Sequence, residues 1–248
     1  MPGTENHLTS APPSAGYFAT THWTVVARAR QGDSPQARAA LENLCRTYWY
    51  PLYAYVRRQG HSPHDAQDLT QAFFETFLEK HYLADVRRER GKFRSFLLAS
   101  LNHFLANEWD KARAQKRGGG KLVPLDETAE SRYLLEPGNE LSAEKIFARR
   151  WAFTLLEQVL SRLREEFVAD GKTTQFDCLK AFLSDGKGAI PYTQAAADLE
   201  MSVGAVKTAV HRLRRRYRDL LRSEIARTVS SPGEVDGEIR HLFAALSG

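Results

Sequence analysis

The sequence predicts an all-α protein of two helical domains joined by a flexible acidic linker. Apolar residues recur at gaps of three and four in most segments, which is the spacing of one face of an α-helix. No segment alternates convincingly with the period of two that a half-buried strand needs. Charge divides the chain as well. Residues 86–117 hold nine Lys or Arg against three acids, 207–222 hold seven against one, and 118–145 hold six acids against three bases.

Four helices are predicted in a first domain over residues 18–117. The first begins near Thr21, and the other three cover 34–59, 63–81 and 92–115. Pro51 falls inside the second of these helices and is expected to kink or split it, because proline lacks the amide hydrogen that the helix needs there. Residues 1–17 are rich in Pro, Ser, Gly and Thr, a composition that predicts disorder.

The acidic linker is predicted over 118–143, where glycines and prolines interrupt the helical pattern. Helical spacing returns in a second domain, residues 144–225. Its predicted helices cover 144–167, about 174–184, and a helix-turn-helix within 191–222. A C-terminal helical extension, 226–248, holds a last amphipathic segment at 235–246.

The most informative stretch is 191–222, where a short alanine-rich segment and a turn precede a long basic segment. Six apolar residues of the basic segment fall on one helical face: Val203, Val206, Val210, Leu213, Tyr217 and Leu220. Ser202 is suited to cap this helix, since a serine side chain accepts a hydrogen bond from the first turn. This order of elements is the helix-turn-helix pattern, whose second helix enters the DNA major groove. The alternative is a basic helix that only faces solvent or a membrane surface.

Composition limits the remaining classes. A net charge of +5 permits a nucleic-acid partner without requiring one. Cys45 and Cys178 are the only cysteines, too few for a zinc site of their own or a disulfide framework, so a cytoplasmic protein is expected. The N-terminus lacks a charged segment followed by an apolar one, so no signal peptide is expected. No apolar run approaches the length of a membrane span.

Three motifs in a fixed order resemble a known family. DAQDLTQAFF (65–74), FRSFLLASLNHFLANEWDKARAQKR (93–117) and YTQAAADLEMSVGAVKTAVHRLRRRYRDLL (192–221) resemble region 2.2, regions 2.3 and 2.4, and region 4.2 of bacterial RNA polymerase sigma factors. The likeness is to the extracytoplasmic-function (group 4) type and covers roughly residues 22–225. It implies a region 2-like helical bundle over 18–117 and a region 4-like helix-turn-helix domain over 144–225.

The resemblance implies a binding protein rather than an enzyme, with no cofactor and no metal. Its implied partners are promoter DNA and bacterial core RNA polymerase, contacted through the β′ clamp helices and the β flap. An anti-sigma factor or a regulatory kinase is left open as a further partner.

The resemblance also implies which residues touch the polymerase. They lie on the predicted helix over 63–81: Asp65, Asp68, Leu69, Thr70, Gln71 and Phe74. The alternative is that the acids only make this helix soluble. A metal site at Asp65 and Asp68 is not expected, because no histidine or further acid joins them at ligand spacing.

Promoter contacts are implied at two sites. The residues implied for the melted −10 element are Arg94, Asn102, His103, Asn107, Trp109, Lys111, Arg113, Lys116 and Arg117. Those implied for the −35 duplex are Ser202, Lys207, Thr208, His211, Arg212, Arg214, Arg215 and Arg218. Trp109 is equally consistent with a half-buried core position, and Arg216 with a solvated charge.

One position departs from the family. The turn before Met201 often carries glycine there, and Glu200 occupies it in this chain. The turn must therefore either hold a non-glycine residue at positive φ or adopt another form.

Two other functions remain as alternatives. A helix-turn-helix repressor or activator would bind duplex DNA without polymerase, and would need a dimer interface that only 235–246 offers. An enzyme with an appended DNA-binding domain is the third hypothesis. It lacks support because the sequence has no nucleophile–base pair and no metal cluster, and RGGGK (117–121) is not in the strand–loop–helix context of a phosphate-binding loop.

Overall fold

The fold is all-helical in the residues that the computed structural model describes, which are 35–79, 92–114, 127–136, 141–183 and 190–247. These ranges hold nine α-helices and no strand, which confirms the predicted class. The helices are α1 (Pro35–Arg58), α2 (Pro63–Glu79), α3 (Phe93–Ala114), α4 (Glu127–Leu134), α5 (Ala143–Ala169), α6 (Thr173–Leu179), α7 (Tyr192–Asp198), α8 (Val203–Ala226) and α9 (Val235–Ser247). Short 3₁₀ turns at Lys180–Leu183 and Pro232–Glu234 follow α6 and precede α9. Within the described ranges, every helix is too short or too polar to cross a bilayer.

Pro51 does not split α1, which runs without interruption from Pro35 to Arg58. The split, one of the two effects predicted for Pro51, therefore does not occur. The residues around Pro51 are deeply buried, including Tyr48, Leu52 and Val56. Because packing of an apolar face supplies most of a helix's stability, it offsets the one backbone hydrogen bond that proline removes.

The predicted acidic linker contains a helix. Residues 127–134 form α4, which packs on α1 and places Glu130 beside Arg57. The prediction of a flexible segment over 118–143 is thus wrong for these residues. The rest of that range, apart from 135–136 and 141–143, lies outside the described residues, as do 1–34 with the helix predicted near Thr21.

The core is organised around α5. Its buried face includes Phe147, Trp151, Leu155 and Leu163, and it packs against α1, α8 and α9. Buried apolar side chains from α1 through α9 form one large cluster. In the described residues, helices assigned to both predicted domains therefore share a core.

The C-terminal extension is part of this packing. Its helix α9 contacts α5 and α8, and Val235 and Leu242 are buried. The predicted helix over 235–246 is confirmed. A backbone hydrogen bond from Phe93 N–H to the Thr228 carbonyl, 2.9 Å long, also joins the extension to the first residue of α3.

Candidate nucleic-acid interface and docking surface

The turn between α7 and α8 is a Schellman motif. The Met201 amide donates to the Ala196 carbonyl at 2.9 Å, and the Glu200 amide donates to the Ala197 carbonyl at 3.2 Å. This arrangement needs a left-handed residue after the helix end, and Glu200 supplies it with φ of 52°. Of the two alternatives that the sequence left open, the turn therefore adopts the one with positive φ at a non-glycine residue. The motif fixes the angle at which α8 leaves the turn.

The start of α8 is capped as predicted. The Ser202 hydroxyl oxygen accepts a hydrogen bond from the Ala205 amide at 3.1 Å, and its φ and ψ of −70° and 151° are those of an N-cap. Thr208 lies six residues further on, exposed, and its hydroxyl donates to the Gly204 carbonyl at 3.1 Å. Both side chains thus keep acceptor capacity on the exposed start of the helix.

The long helix α8 separates its apolar and basic residues cleanly. Four of the six residues in the predicted apolar stripe are buried, namely Val206, Val210, Leu213 and Leu220, while Val203 and Tyr217 are half-buried. The other predicted residues of the −35 set are exposed: Lys207, His211, Arg212, Arg214, Arg215 and Arg218. A basic surface therefore follows the outer side of α8.

The basic residues of α8 differ in whether they have partners. Arg216 forms a two-point ion pair with Glu166 at 2.6 and 2.7 Å, and Arg222 pairs with Asp236. Arg214 donates from Nε to the Phe182 carbonyl at 2.9 Å. Among the described residues, no carboxylate pairs with Arg212, Arg215 or Arg218. Lys207 also has no carboxylate partner among these residues, although its ammonium lies 5.9 Å from the Tyr192 ring centroid. We define these three arginines with Lys207 as the free basic face of α8, free meaning without a carboxylate partner.

Polar and aromatic side chains stand out from α3. Asn102, His103 and Asn107 are exposed, and Trp109 is 67% exposed. The alternative that Trp109 is half-buried is therefore wrong. The Asn102 side-chain oxygen accepts from the Tyr55 hydroxyl at 2.8 Å, which orients its amide group.

The basic residues implied for this helix are less uniform. Lys111 is exposed but pairs with Glu108 at 2.6 Å. The side chain of Arg113, and Lys116 and Arg117 entirely, lie outside the described residues. Arg94 is buried, because Glu238 of α9 covers it, so it does not lie on an exposed basic surface in this structure.

The proposed polymerase-contacting residues of α2 fall into two groups. Asp65 and Gln71 are exposed, and Asp68 and Leu69 are half-buried. Thr70 is 0% exposed and donates its hydroxyl to the Ala66 carbonyl at 2.7 Å, so it cannot touch a partner here.

Phe74 belongs with Thr70. It is 6% exposed and its ring packs edge-on against Phe73 with centroids 5.6 Å apart. Both residues therefore support the helix from within, which corrects their assignment as contact residues. Membership of the motif does not show whether a residue contacts a partner protein or packs inside its own domain.

A cleft of about 920 Å³ separates α2 from α3. Its lining residues include Asp65, Asp68, Asn102, Glu108 and Trp109. The cleft lies between Asp65 and Asp68 of α2 on one side and the polar ridge of α3 on the other. The polar ridge is the row of Asn102, His103, Asn107 and Trp109. The contribution of Glu108 was missed by sequence analysis, although its helical spacing from Asn102 and Leu105 places it on the same side of α3.

Sequence analysis also missed the partner of Arg94. Glu238 accepts from the Arg94 Nε at 2.5 Å and pairs with the Lys92 ammonium at 2.7 Å. Burial alone would raise the pKa of Glu238, but hydrogen bonds from Arg94 and Lys92 outweigh it and lower that pKa below its ordinary value. Glu238 is therefore ionised at neutral pH.

The chain matches no protein-family model, and neither a curated protein nor a solved structure was found to match it. Its function is therefore inferred from its own residues and their geometry.

Proposed function

We propose that this chain is a promoter-specificity subunit of bacterial RNA polymerase, of the extracytoplasmic-function (group 4) sigma type. The observation that carries the proposal is the free basic face of α8, which follows a capped helix-turn-helix and has no internal carboxylate partners among the described residues. Unpaired arginines along one exposed side of such a helix favour a polyanionic partner. The three motifs in sigma-factor order favour promoter DNA as that partner.

In this proposal α8 binds the −35 duplex. The first turns of the helix, with Lys207, Thr208 and Arg212, face base edges in the major groove, where an arginine can bind guanine through two hydrogen bonds. Arg215 and Arg218, further along the exposed side, bind phosphates. Phosphate contacts supply affinity that falls steeply with salt, while base contacts supply sequence preference.

The polar ridge of α3 binds the melted −10 strand. Unpaired bases need a surface on which to stack, and the exposed indole of Trp109 offers one. Asn102 and Asn107 can each donate and accept hydrogen bonds at a base edge. The ridge contains few free cations among its described residues, so hydrogen bonding and stacking dominate there.

The acids of α2, of which Asp65 is exposed and Asp68 half-buried, bind core polymerase. Asp65, Asp68 and Gln71 present two carboxylates and an amide on accessible helix turns. A helix of the β′ subunit that carries arginine or lysine would complement this surface, because carboxylate–guanidinium pairs are strong and directional.

The test is co-purification of the full chain with bacterial core RNA polymerase, followed by run-off transcription from a pool of promoter fragments. Stable binding and initiation from a subset of fragments are expected, while core polymerase alone gives none. Binding to duplex DNA without any association with polymerase would overturn the proposal and favour a helix-turn-helix repressor or activator.

A further inference from the structure

We propose that the C-terminal helix α9 is a latch that closes over the start of α3 and withholds Lys92 and Arg94 from DNA phosphates. The role of Lys92 and Arg94 toward DNA rests on the proposed promoter-binding function. The docking of α9 over α3 rests only on the contacts of α9.

The latch is centred on a buried carboxylate. Glu238 is 0% exposed, and both of its oxygens are bound by cations from the start of α3. Arg94 donates to Oε1 at 2.5 Å and to Oε2 at 3.2 Å, and the Lys92 ammonium lies 2.7 Å from Oε2. The guanidinium of Arg94 also lies over the buried Trp151 ring, 5.1 Å from its centroid. Glu238 therefore occupies both cations while α9 is docked: Arg94 is buried, and Lys92, whose side chain is 34% exposed, is held by the carboxylate.

A second contact holds the same point. The Phe93 amide, between the two basic residues in sequence, donates to the Thr228 carbonyl of the segment that connects α8 to α9. The extension thus binds the first turn of α3 through a backbone hydrogen bond and through the ion pairs of Glu238. It also bridges to α8, since Asp236 of α9 pairs with Arg222 at 2.5 Å on the surface.

The ion cluster at Glu238 is better suited to reversible opening than to stabilising the core. A buried ion pair gains little net stability over apolar residues of similar volume, because both charges must first be taken out of water. Its partners can instead be exchanged for a competing anion, and a phosphate binds arginine and lysine as a carboxylate does. A half-open cleft of about 410 Å³ also lies beside the cluster, along the seam of α3, α5 and α9, lined in part by Arg94, Leu98, Phe147 and His241.

Opening would convert the start of α3 into part of the DNA-binding surface. DNA phosphates would take the place of the Glu238 carboxylate at Lys92 and Arg94, and α9 would leave the seam. The closed state would then limit binding to DNA until polymerase or promoter stabilises the open one, as a ligand does that prefers one of two conformations.

The first experiment measures the latch alone, by amide hydrogen exchange of the full chain without DNA. Glu238→Gln should raise exchange across residues 235–247 by at least about tenfold, while residues 151–163 of α5 stay as protected as in the wild type. Asp236→Asn is the matched control. It removes the same charge from the same helix at an exposed pair, so exchange should change by less than about twofold.

The second experiment measures what the latch withholds, by titrating a duplex of random sequence at several salt concentrations. Two freed cations should steepen the slope of log affinity against log salt by about one to two in Glu238→Gln. The double variant Glu238→Gln with Arg94→Gln should lose at least half of that gain. In the wild type, saturating DNA should raise exchange across 235–247.

Four results would overturn the proposal. Unchanged exchange across 235–247 in Glu238→Gln, or an equal rise across 151–163, would make Glu238 an ordinary structural residue. An opened α9 with an unchanged salt slope would show that Lys92 and Arg94 are not withheld. If Glu238→Gln fails to fold, DNA-induced protection of 235–247 in the wild type overturns the latch, and DNA-induced exposure supports it. An opened α9 in a chain that binds no polymerase would leave the latch standing and the sigma-factor proposal rejected.

Discussion

Arg57 of α1 and Glu130 of α4 form a two-point ion pair that joins residues 73 positions apart. Nε lies 2.9 Å from Oε2 and Nη2 lies 2.8 Å from Oε1. The Tyr53 hydroxyl donates to the same Oε2 at 2.6 Å, and the Tyr133 ring centroid lies 4.7 Å below the guanidinium. Both charged side chains are mostly buried. Part of the acidic segment between the two basic blocks is therefore a fixed structural element.

Glu130→Gln should lower the free energy of unfolding by about 1–3 kcal/mol, because it leaves the Arg57 guanidinium partly buried without its charged acceptor. Urea denaturation monitored by circular dichroism measures the change. Glu157→Gln is the matched control. Glu157 pairs with Arg132 at 3.8 Å with both side chains well exposed, so its loss should change stability by less than about 0.5 kcal/mol. Equal effects in the two variants would contradict a structural role for the Arg57–Glu130 pair.

The stabilisation by Glu130 should depend on pH in a defined direction. The hydrogen bond from Arg57, helped by that from Tyr53, lowers the pKa of Glu130 below its ordinary value of 4.5 despite partial burial. A lowered folded-state pKa means that the contribution is complete above the unfolded-state value and is lost as pH falls through the folded-state value.

The difference in unfolding free energy between wild type and Glu130→Gln should therefore be constant near neutral pH and shrink below about pH 4.5. Urea denaturation of both proteins at a series of pH values measures it. A difference that grows on acidification would show that the carboxylate is not the stabilising form.

Sequence periodicity predicted the long helices because their apolar stripes are strong. The predicted ranges 34–59, 92–115 and 144–167 differ by only one or two residues from α1, α3 and α5 at each described end. Helix α4 was missed for a physical reason. It has eight residues, too few to be stable alone, and it forms because α1 supplies a partner for Glu130.

The candidate site residues were predictable from sequence only where a single helix determines their exposure. The exposed side of α8 and its cap follow from helical spacing, which needs no knowledge of neighbouring elements. Thr70, Phe74 and Arg94 were assigned to surfaces because they lie in motifs, yet contacts from other helices bury them. The partner of Arg94 is 144 residues away, and nothing in either local sequence indicates the pairing.

Arg212→Ala should weaken binding to a −35 promoter fragment by roughly 1–3 kcal/mol, or about 5- to 150-fold, if its guanidinium binds a base. Binding to core polymerase should not change, since the residue lies on the outer side of α8. Fluorescence anisotropy with matched and scrambled fragments separates loss of affinity from loss of sequence preference.

Arg216→Ala is the control for Arg212→Ala. It removes an arginine one turn further along the same helix, but one that Glu166 already neutralises, so promoter affinity should fall by less than about threefold. Unchanged affinity and preference in Arg212→Ala, or equal losses in both variants, would reject Arg212 as a base contact.

Asp68→Ala and Phe74→Ala should both reduce capture of core polymerase, but for different reasons. Phe74 is buried, so its truncation should lower the free energy of unfolding by about 3–5 kcal/mol and reduce capture through loss of folded protein. Asp68 is half-buried, and its ion-pair partner among the described residues is His64 at 3.1 Å, so its truncation should leave stability within about 0.5 kcal/mol.

Thermal unfolding and pull-down of polymerase on the same samples distinguish these causes. Asp177→Ala, which removes an exposed carboxylate of α6, should alter neither measurement. Normal holoenzyme assembly by Asp68→Ala would count against α2 as the docking surface.

Glu200→Gly should stabilise the protein, because Glu200 holds φ of 52° at the left-handed position of the Schellman motif. That conformation costs a residue with a Cβ about 1–2 kcal/mol, and glycine avoids this cost while losing about 0.4–1 kcal/mol through the greater freedom of its unfolded chain. A net gain of about 0.5–1 kcal/mol is expected, which corresponds to a rise in Tm of about 1–4 °C for a chain of this size. Glu200→Ala isolates the cause, since it removes the exposed carboxylate and keeps the Cβ. Differential scanning calorimetry should show a gain for glycine and none for alanine. An equal gain in both would assign the effect to loss of the charge, and the strain at the helix-turn-helix turn would then have no measurable weight.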